Sequence, residues 1–323
     1  MTHGMIARTP GGPEVLVWSG LPDRAPGPGE ALVRHTAIGV NFIDIYYRSG
    51  LYPWPETPLV PGAEAAGVIE ALGPGVTDLS PGQAVAYVIP TGAYRQTRVV
   101  PADRLVPLPA GISGETAAAA MLKGLTAQYL VTACYKVAPG DTILVHAAAG
   151  GVGLILGQWL RALGATAIGT AGGPDKVALA RAHGYAHVID YTVGEFAPQV
   201  MEVTGGRGCD AVFDSVGAST WRGSLSVLRR RGSFVNFGQS SGMIAGFALS
   251  DLAKGSLIAM RPVLFDYIAE RSELLERAAD LFARIGAGQV VLDTVARVPL
   301  REVAGLHADM EARRTVGAAV LTT

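Results

Sequence analysis

Thr142–Leu163 constrains this chain more than any other stretch. Thr142, Ile143, Leu144 and Val145 form a short apolar run with β-branched residues, the pattern of a strand buried on both faces. The small residues Ala147–Gly151 then turn the chain without bulky side chains. From Val152 the period changes, and Val152, Leu156, Trp159, Leu160 and Leu163 fall on one apolar stripe at helical spacing. Strand, glycine turn and helix start together make the unit in which free backbone N–H groups receive a phosphate. Tight strand–helix packing alone also asks for glycine; the flanking strand and helix favour the phosphate reading.

The remainder of the chain alternates in the same way. Helix Lys123–Leu130 leads in, with Thr126 and Tyr129 three apart on one face. After the opening unit come strand Ala165–Thr170, helix Pro174–His183, strand Val188–Asp190 and helix Glu195–Val203. Strand Ala211–Asp214, helix Thr220–Leu228 and strand Gly232–Phe237 follow. Such a βαβ series with short loops predicts a doubly wound parallel sheet over about residues 122–262, whose ligands sit outside the carboxyl ends of the strands.

Those ends carry the candidate contacts. The second strand ends in Gly169–Gly173 without the Asp or Glu that would hold an NAD ribose, and Lys176 follows within a turn. A missing acid and a nearby cation favour the 2′-phosphate of NADP; a solvated helix lysine is the alternative. Tyr191 beyond the third strand could flank the same phosphate or the adenine. Ser215 in Asp214–Gly217 and Gln239 in Asn236–Ser241 stand at the fourth and fifth ends, among small polar residues suited to a cofactor crossing the rim.

Residues 1–121 have a different grammar. Strands Ala31–Ala37, Ala65–Leu72, Ala84–Ile89 and Tyr94–Val100 are separated by breakers such as Gly73-Pro74-Gly75 and Ser80-Pro81-Gly82, which predicts a mostly-β, barrel-like domain. Within it, Asn41–Pro53 gathers Tyr46, Tyr47 and Tyr52 beside Asn41, Asp44 and Arg48. This stretch reads either as the wall of a substrate and cofactor cleft or as a helical turn with packed tyrosines. Glu64, between small residues, is expected buried in a structural ion pair. After residue 263 the chain offers helix Arg271–Ile285, strands Val290–Leu292 and Val295–Val298, helix Glu302–Arg313 and strand Val316–Leu321, a tail expected to return to the β domain.

Composition narrows the function classes. A length of 323 residues and a 49% apolar fraction supply two cored domains, and a net charge of −1 argues against nucleic acid as partner. Two cysteines exclude a disulfide framework, and no apolar run of ~20 residues occurs, so a cytoplasmic protein away from membranes is expected.

Together these residues resemble the zinc-free quinone oxidoreductase (zeta-crystallin-like) branch of the medium-chain dehydrogenase/reductase superfamily. The resemblance runs through Gly11–Leu16, Asn41–Pro53, His146–Trp159, Phe213–Gly217, Arg230–Gly242 and Lys254–Pro262. It implies a Rossmann domain at 122–262 and a GroES-like domain built from 1–121 and 263–323. It also implies NADPH-dependent quinone reduction. Residue by residue, it implies nicotinamide-side contacts at Asn41, Tyr46 and Thr126, with Tyr129 on the same helix face. Pyrophosphate contacts fall at Gly150, Gly151 and Val152, and 2′-phosphate contacts at Gly172, Lys176 and Tyr191. Phe237, Gly238, Ser240, Leu264 and Arg313 complete the cradle. Tyr52 resembles the proton donor of related enoyl thioester reductases, with Tyr46 and Asn41 beside it as further catalytic candidates.

Two departures matter. Ala148 occupies the first glycine position of the dinucleotide fingerprint, and Gly62-Ala63-Glu64 stands where zinc-dependent relatives have Gly-His-Glu. No metal is therefore expected. Without a Lewis acid, conjugated acceptors suit the site better than alcohols, because the product oxyanion is delocalised. An NADPH-dependent enone or enoyl thioester reductase and a non-catalytic, crystallin-like NADPH binder are the rival readings. Gly242–Leu257 is expected to form the edge of a homodimer.

Overall fold

The computed structural model describes residues 1–293 and 295–323. The chain divides into two compact units. The first comprises Met1–Leu125, Tyr267–Gly286 and Leu292–Thr323; the second comprises Thr126–Asp266 and Ala287–Val291.

The first unit begins with the antiparallel ribbon β1 (Thr2–Ile6) and β2 (Val17–Leu21). Its main sheet is organised around β3 (Glu30–Gly39). One edge of β3 pairs along its length with β4 (Glu64–Leu72), which in turn pairs with β5 (Ala84–Val88). The other edge is shared: β6 (Thr97–Pro101) takes Glu30–Arg34, and a strand from the chain's end takes Ile38–Gly39. Register shifts at Leu32/Val33 and His35/Ala37 bend β3 so that it can serve both neighbours. The short β7 (Val106–Pro107) closes on β5. Between β3 and β4 lies helix α1 (Phe42–Arg48), so the Asn41–Pro53 stretch is a helix followed by a loop. Helix α2 (Gly114–Tyr129) then leads out, continuing as a π-helical turn over Leu130–Cys134.

The second unit is the parallel sheet. Strands β8 (Thr142–Val145), β9 (Thr166–Ala171), β10 (His187–Asp190), β11 (Cys209–Asp214), β12 (Leu228–Asn236) and β13 (Ile258–Met260) alternate with helices α3 (Gly151–Ala162), α4 (Pro174–Ala182), α5 (Phe196–Val203) and α6 (Trp221–Ser226). The spatial order β10-β9-β8-β11-β12-β13 reverses at β8, which makes the β8/β11 edge the topological switch point of a Rossmann sheet. Leu144, Ile168, Ile189, Val212 and Phe234 from five of its strands share one buried cluster with Val200 and Trp221 from the helices. Each of these elements falls within a residue or two of its sequence-based bounds except β12, which starts earlier, at Leu228, and β13, which the sequence does not separate from the loop before it. The lead-in helix expected at Lys123–Leu130 is longer, starting at Gly114 as α2.

The tail follows as α7 (Leu264–Tyr267), α8 (Arg271–Gly286), β14 (Val295–Pro299), α9 (Val303–Glu311) and β15 (Ala318–Thr322). Leu300, Val303, Leu306, Met310, Ala319 and Leu321 join the core of the first unit with Val33, Ile38, Tyr87 and Leu105, so both ends of the chain build it. Val290–Leu292, expected as a strand, is irregular. The side-chain amide of Gln158 in α3 pairs with both backbone groups of Val291, at 2.8 and 3.1 Å, and holds that segment as a third partner would in a ladder.

Candidate active site

Parallel register aligns the carboxyl ends of the strands: Val145 stands beside Gly169 and Phe213, Ala171 beside Asp190, Asp214 beside Asn236, and Val235 beside Met260. Gly150–Val152, Gly172, Tyr191, Ser215 and Phe237–Ser240 therefore all follow strand ends on one rim. At the switch point, Ala147 adopts a left-handed backbone (φ 55°) and Gly150 caps α3. The N–H groups of Gly151, Val152 and Gly153 have no acceptor among the described residues, as expected at a helix start. A methyl on Gly150 would meet only the Ala147 carbonyl oxygen, at 3.2 Å, so the backbone is open to close approach. A methyl on Gly153 would lie 2.3 Å from that same oxygen, which explains the glycine as close helix–strand packing. Ala148 is tolerated in place of glycine because Gly169 faces it: a Cβ at Gly169 would sit 2.7 Å from the Ala148 methyl.

The end of β9 is shaped by its neighbour. The Tyr191 ring crosses Gly172 so closely that a Cβ there would lie 2.6 Å from the phenol oxygen. Lys176 is half-buried on the first turn of α4. A carboxylate missed in the sequence reading belongs to this corner. Asp190 Oδ1 accepts the Gly173 N–H (3.0 Å) and the Thr192 N–H and hydroxyl (2.9 and 2.6 Å). The Thr192 hydroxyl and the two N–H groups hold its carboxyl below the usual range, so it is ionised and committed to the loop.

Under the rim, His146 bridges the Thr170 and Ser224 hydroxyls, each at 2.9 Å. Asp214 Oδ2 accepts from Thr220 (2.7 Å) and Ser224 (3.2 Å), while Oδ1 takes the N–H groups of Val216 and Gly217. Burial lowers the His146 pKa against the pull of Asp214, so a neutral imidazole ties the ends of β8, β9 and β11 together. Gly238 sits with its α-carbon against Ser215, where a methyl would be 2.7 Å from the Ser215 carbonyl oxygen. Gln239 and Ser240 follow, half-buried and exposed, and Leu264 is buried at the start of α7. Thr126 and Tyr129 are buried on the last turn of α2.

In the first unit, the start of α1 is fixed from both sides: Asp44 Oδ2 takes the Asn41 N–H at 2.8 Å, and the Asp44 N–H donates to the Asn41 carbonyl oxygen at 3.1 Å. Asn41 Nδ2 donates to Glu64 Oε1 at 2.8 Å. Glu64 is fully buried, and it also receives the Lys123 ammonium (2.7 Å) and the Leu122 N–H (2.6 Å). The expected ion pair is thus present, with Lys123 as its cation. A lone lysine in the alanine-rich helix Gly114–Tyr129 was the signal for it.

Tyr46 packs on Tyr52 with ring centroids 5.3 Å apart, and Tyr47 meets Tyr52 edge-on at 5.5 Å. Behind α1, the Tyr94 hydroxyl lies 2.9 Å from both Asp44 Oδ2 and His307 Nε2, and Arg48 makes a two-point pair with Glu311. Burial pushes Asp44 up to about 7, against the Asn41 N–H and Tyr94 hydroxyl, while burial and then Arg48 hold His307 down to about 3. The Arg48–Glu311 pair ties α9 to α1, and Arg313, exposed with φ 59°, follows that helix. The partners lie 50 to 263 residues apart, which is why no local pattern announced them.

Comparison with known proteins agrees with this architecture. Residues 27–110 match the alcohol dehydrogenase GroES-like domain, and residues 151–284 match the zinc-binding dehydrogenase family. The residues here do not fit a zinc ion at the motif position: Ala63 offers no donor, and Glu64 is committed to an ammonium. Among the described residues no group of three His, Cys, Asp or Glu side chains is placed to hold a metal.

A quinone oxidoreductase of Pseudomonas aeruginosa is 48% identical over 313 residues, 96% of each chain. A 2-haloacrylate reductase of a Burkholderia species is 43% identical over 99% of each. The crystal structure of Escherichia coli quinone oxidoreductase complexed with NADPH superposes with a TM-score of 0.96 at 42% identity, covering 99% of this chain and 100% of that one. The chain belongs to the quinone oxidoreductase branch of the medium-chain dehydrogenase/reductase superfamily.

Proposed function

We propose that this protein is an NADPH:quinone oxidoreductase. The observation that carries the reading is the rim of the second unit: three acceptor-free amides at the start of α3, beside a β9 end that has no carboxylate of its own and is followed by Lys176. Relatives described as quinone oxidoreductases, and one solved with NADPH, support it.

The amides of Gly151 and Val152, after the open backbone of Gly150, would hold the pyrophosphate. Lys176, Gly172 and Tyr191 would hold the 2′-phosphate. Ser215, Phe237, Gly238, Gln239, Ser240 and Leu264 line the remaining path, with Thr126 and Tyr129 nearer the reacting end. Asn41, Tyr46 and Arg313 are the further cofactor candidates, and Tyr52 is the candidate proton donor. NADPH supplies the hydride that reduces the acceptor. A phenol hydroxyl can donate a proton to a phenolate product as a general acid. Delocalisation of the product oxyanion leaves modest hydrogen bonding as the remaining requirement. The exposed edge of β13 and the loop before it form the surface for a homodimer, in a cytoplasmic enzyme.

The 2-haloacrylate reductase relative favours one second reading, reduction of an activated C=C bond on the same scaffold. Steady-state rates with NADPH on 1,4-benzoquinone, 9,10-phenanthrenequinone, a 2-alkenal and an enoyl-CoA separate the two. Highest kcat/KM on a quinone supports the proposal; highest kcat/KM on the alkenal or the thioester replaces it.

A further inference from the structure

Arg95 and Arg98 flank Thr97, where β6 begins, and both are half-buried. Other arginines of the first unit meet a carboxylate: Arg24 pairs with Glu30, Arg34 with Glu70 and Arg48 with Glu311. Arg95 and Arg98 form no ion pair among the described residues. Both are nonetheless held in place. The Arg95 backbone bridges to Gly4, and its carbonyl oxygen accepts from His35 Nδ1 at 2.6 Å. Arg98 lies over the ring of the buried Tyr87, with Cζ 5.2 Å from the centroid and Nη1 3.4 Å from the phenol oxygen. Gly92 makes room for it, since a Cβ there would lie 2.6 Å from Arg98 Nη2.

The groups around the two guanidiniums supply no counter-charge. The Tyr87 hydroxyl donates to His35 Nε2 at 2.9 Å. Burial holds the His35 ring down to about 3 and pushes the Tyr87 phenol up, so both are neutral. Burial and then the charge of Arg98 press Arg95 below its usual range, with Tyr87 and the exposed Glu56 opposing. Arg95 Nε is buried without an acceptor, an unfavourable state for a donor. An anion on the outer nitrogens offsets both that cost and the repulsion between the two cations.

We propose that Arg95 and Arg98 form a binding site for an oxyanion, a carboxylate or a phosphate, within the first unit. Planar forks of N–H donors beside the same tyrosine match the paired oxygens of such a group. The site draws on no residue of the parallel sheet and does not rest on the NADPH reading.

Thermal unfolding tests it. Tm is measured by circular dichroism at neutral pH for wild type, Arg95→Gln and Arg98→Gln. Each protein is titrated with sodium acetate or sodium phosphate up to about 20 mM, against sodium chloride at matched ionic strength. In wild type at least one oxyanion is expected to raise Tm saturably, by about 2–4 °C over the chloride reference. Both variants are expected to lose most of that rise. Acetate as the only effective anion assigns the site to carboxylates, and phosphate as the only one assigns it to phosphates; either supports the proposal. Phosphate also suits the start of α3 in the second unit, so the loss in the variants, rather than the wild-type rise, locates the site.

Arginines with a merely structural role would lower Tm in every salt and leave the response to oxyanions intact, which overturns the proposal. A wild-type Tm that follows ionic strength alone overturns it as well. Either variant decides the matter if the other does not fold.

Discussion

Lys176 is the residue proposed to discriminate between the two nicotinamide cofactors. Only NADPH has the 2′-phosphate, so Lys176→Ala is expected to raise the NADPH Kd at least tenfold and the NADH Kd less than twofold, read by titration. Equal effects would assign Lys176 to the solvated face of α4. Asp190, ionised in the same corner but turned to Gly173 and Thr192, keeps its charge paired with backbone donors.

His35 makes a different kind of prediction. Its Nδ1 lies 2.6 Å from the Arg95 carbonyl oxygen and its Nε2 2.9 Å from the Tyr87 hydroxyl, a neutral ring donating on one side and accepting on the other. Burial holds its pKa down to about 3. The unfolded imidazole titrates near 6.5, so between about pH 6.5 and 3 unfolding takes up a proton and stability is lost as the pH falls. His307 acts in the same sense. Asp44, raised to about 7, acts in the opposite sense: it releases a proton on unfolding between about pH 4 and 7, so its share of the stability is lost as the pH rises. His35→Gln is expected to reduce the slope of unfolding free energy between pH 4.5 and 5.5 by about 1.4 kcal/mol per pH unit, measured by urea denaturation. An unchanged slope would mean that the folded ring carries a proton.

At the level of elements, β13 is the clearest liability. It pairs with β12 along one edge, and its other edge has no strand partner among the described residues. Ile258 is 55% exposed, and Met243 and Leu249 in the preceding loop are 62% and 81% exposed. An edge strand with apolar side chains invites a second copy to pair with it. Ile258→Lys is expected to convert a dimer to a monomer in light scattering while leaving far-UV circular dichroism unchanged; a dimer that persists would move the interface elsewhere.

Elements differed in how far the sequence announced them. The strand–turn–helix of β8 and α3 was legible because periodicity switches within ten residues and small side chains mark the turn. In the first unit β3, β4, β5 and β6 were legible from their breakers, whereas β1, β2 and β7 were not read as strands. Three residues of β13 carry no alternation to detect, and Val290–Leu292 looks like a strand because three apolar residues in a row do not reveal that the Val291 backbone pairs with the Gln158 side chain instead of a neighbouring strand. The π-helical turn at Leu130–Cys134 has no compositional mark that separates it from α2.

For the whole molecule, the strand order of the parallel sheet follows from the alternation of elements, and the rim follows from the order. The sequence could therefore place most of the cofactor residues on one edge without coordinates. It could not give the partners of Glu64 or the Tyr94 partner of Asp44, because those contacts are made by residues distant in the chain whose side chains meet only after folding. Buried polar pairs lie beside candidate residues in each unit: His146 with Ser224, Tyr94 with His307, Lys123 with Glu64. They pin the strand ends and α1, so the residues above them are held before any ligand arrives.

This scaffold runs NADPH-dependent quinone reduction. Its most direct test is the steady-state oxidation of NADPH and of NADH by purified protein with 1,4-benzoquinone, followed by loss of nicotinamide absorbance above the uncatalysed rate. Catalysed turnover is expected, with kcat/KM for NADPH at least ten times that for NADH. No catalysed oxidation of NADPH, or a preference for NADH, would contradict it.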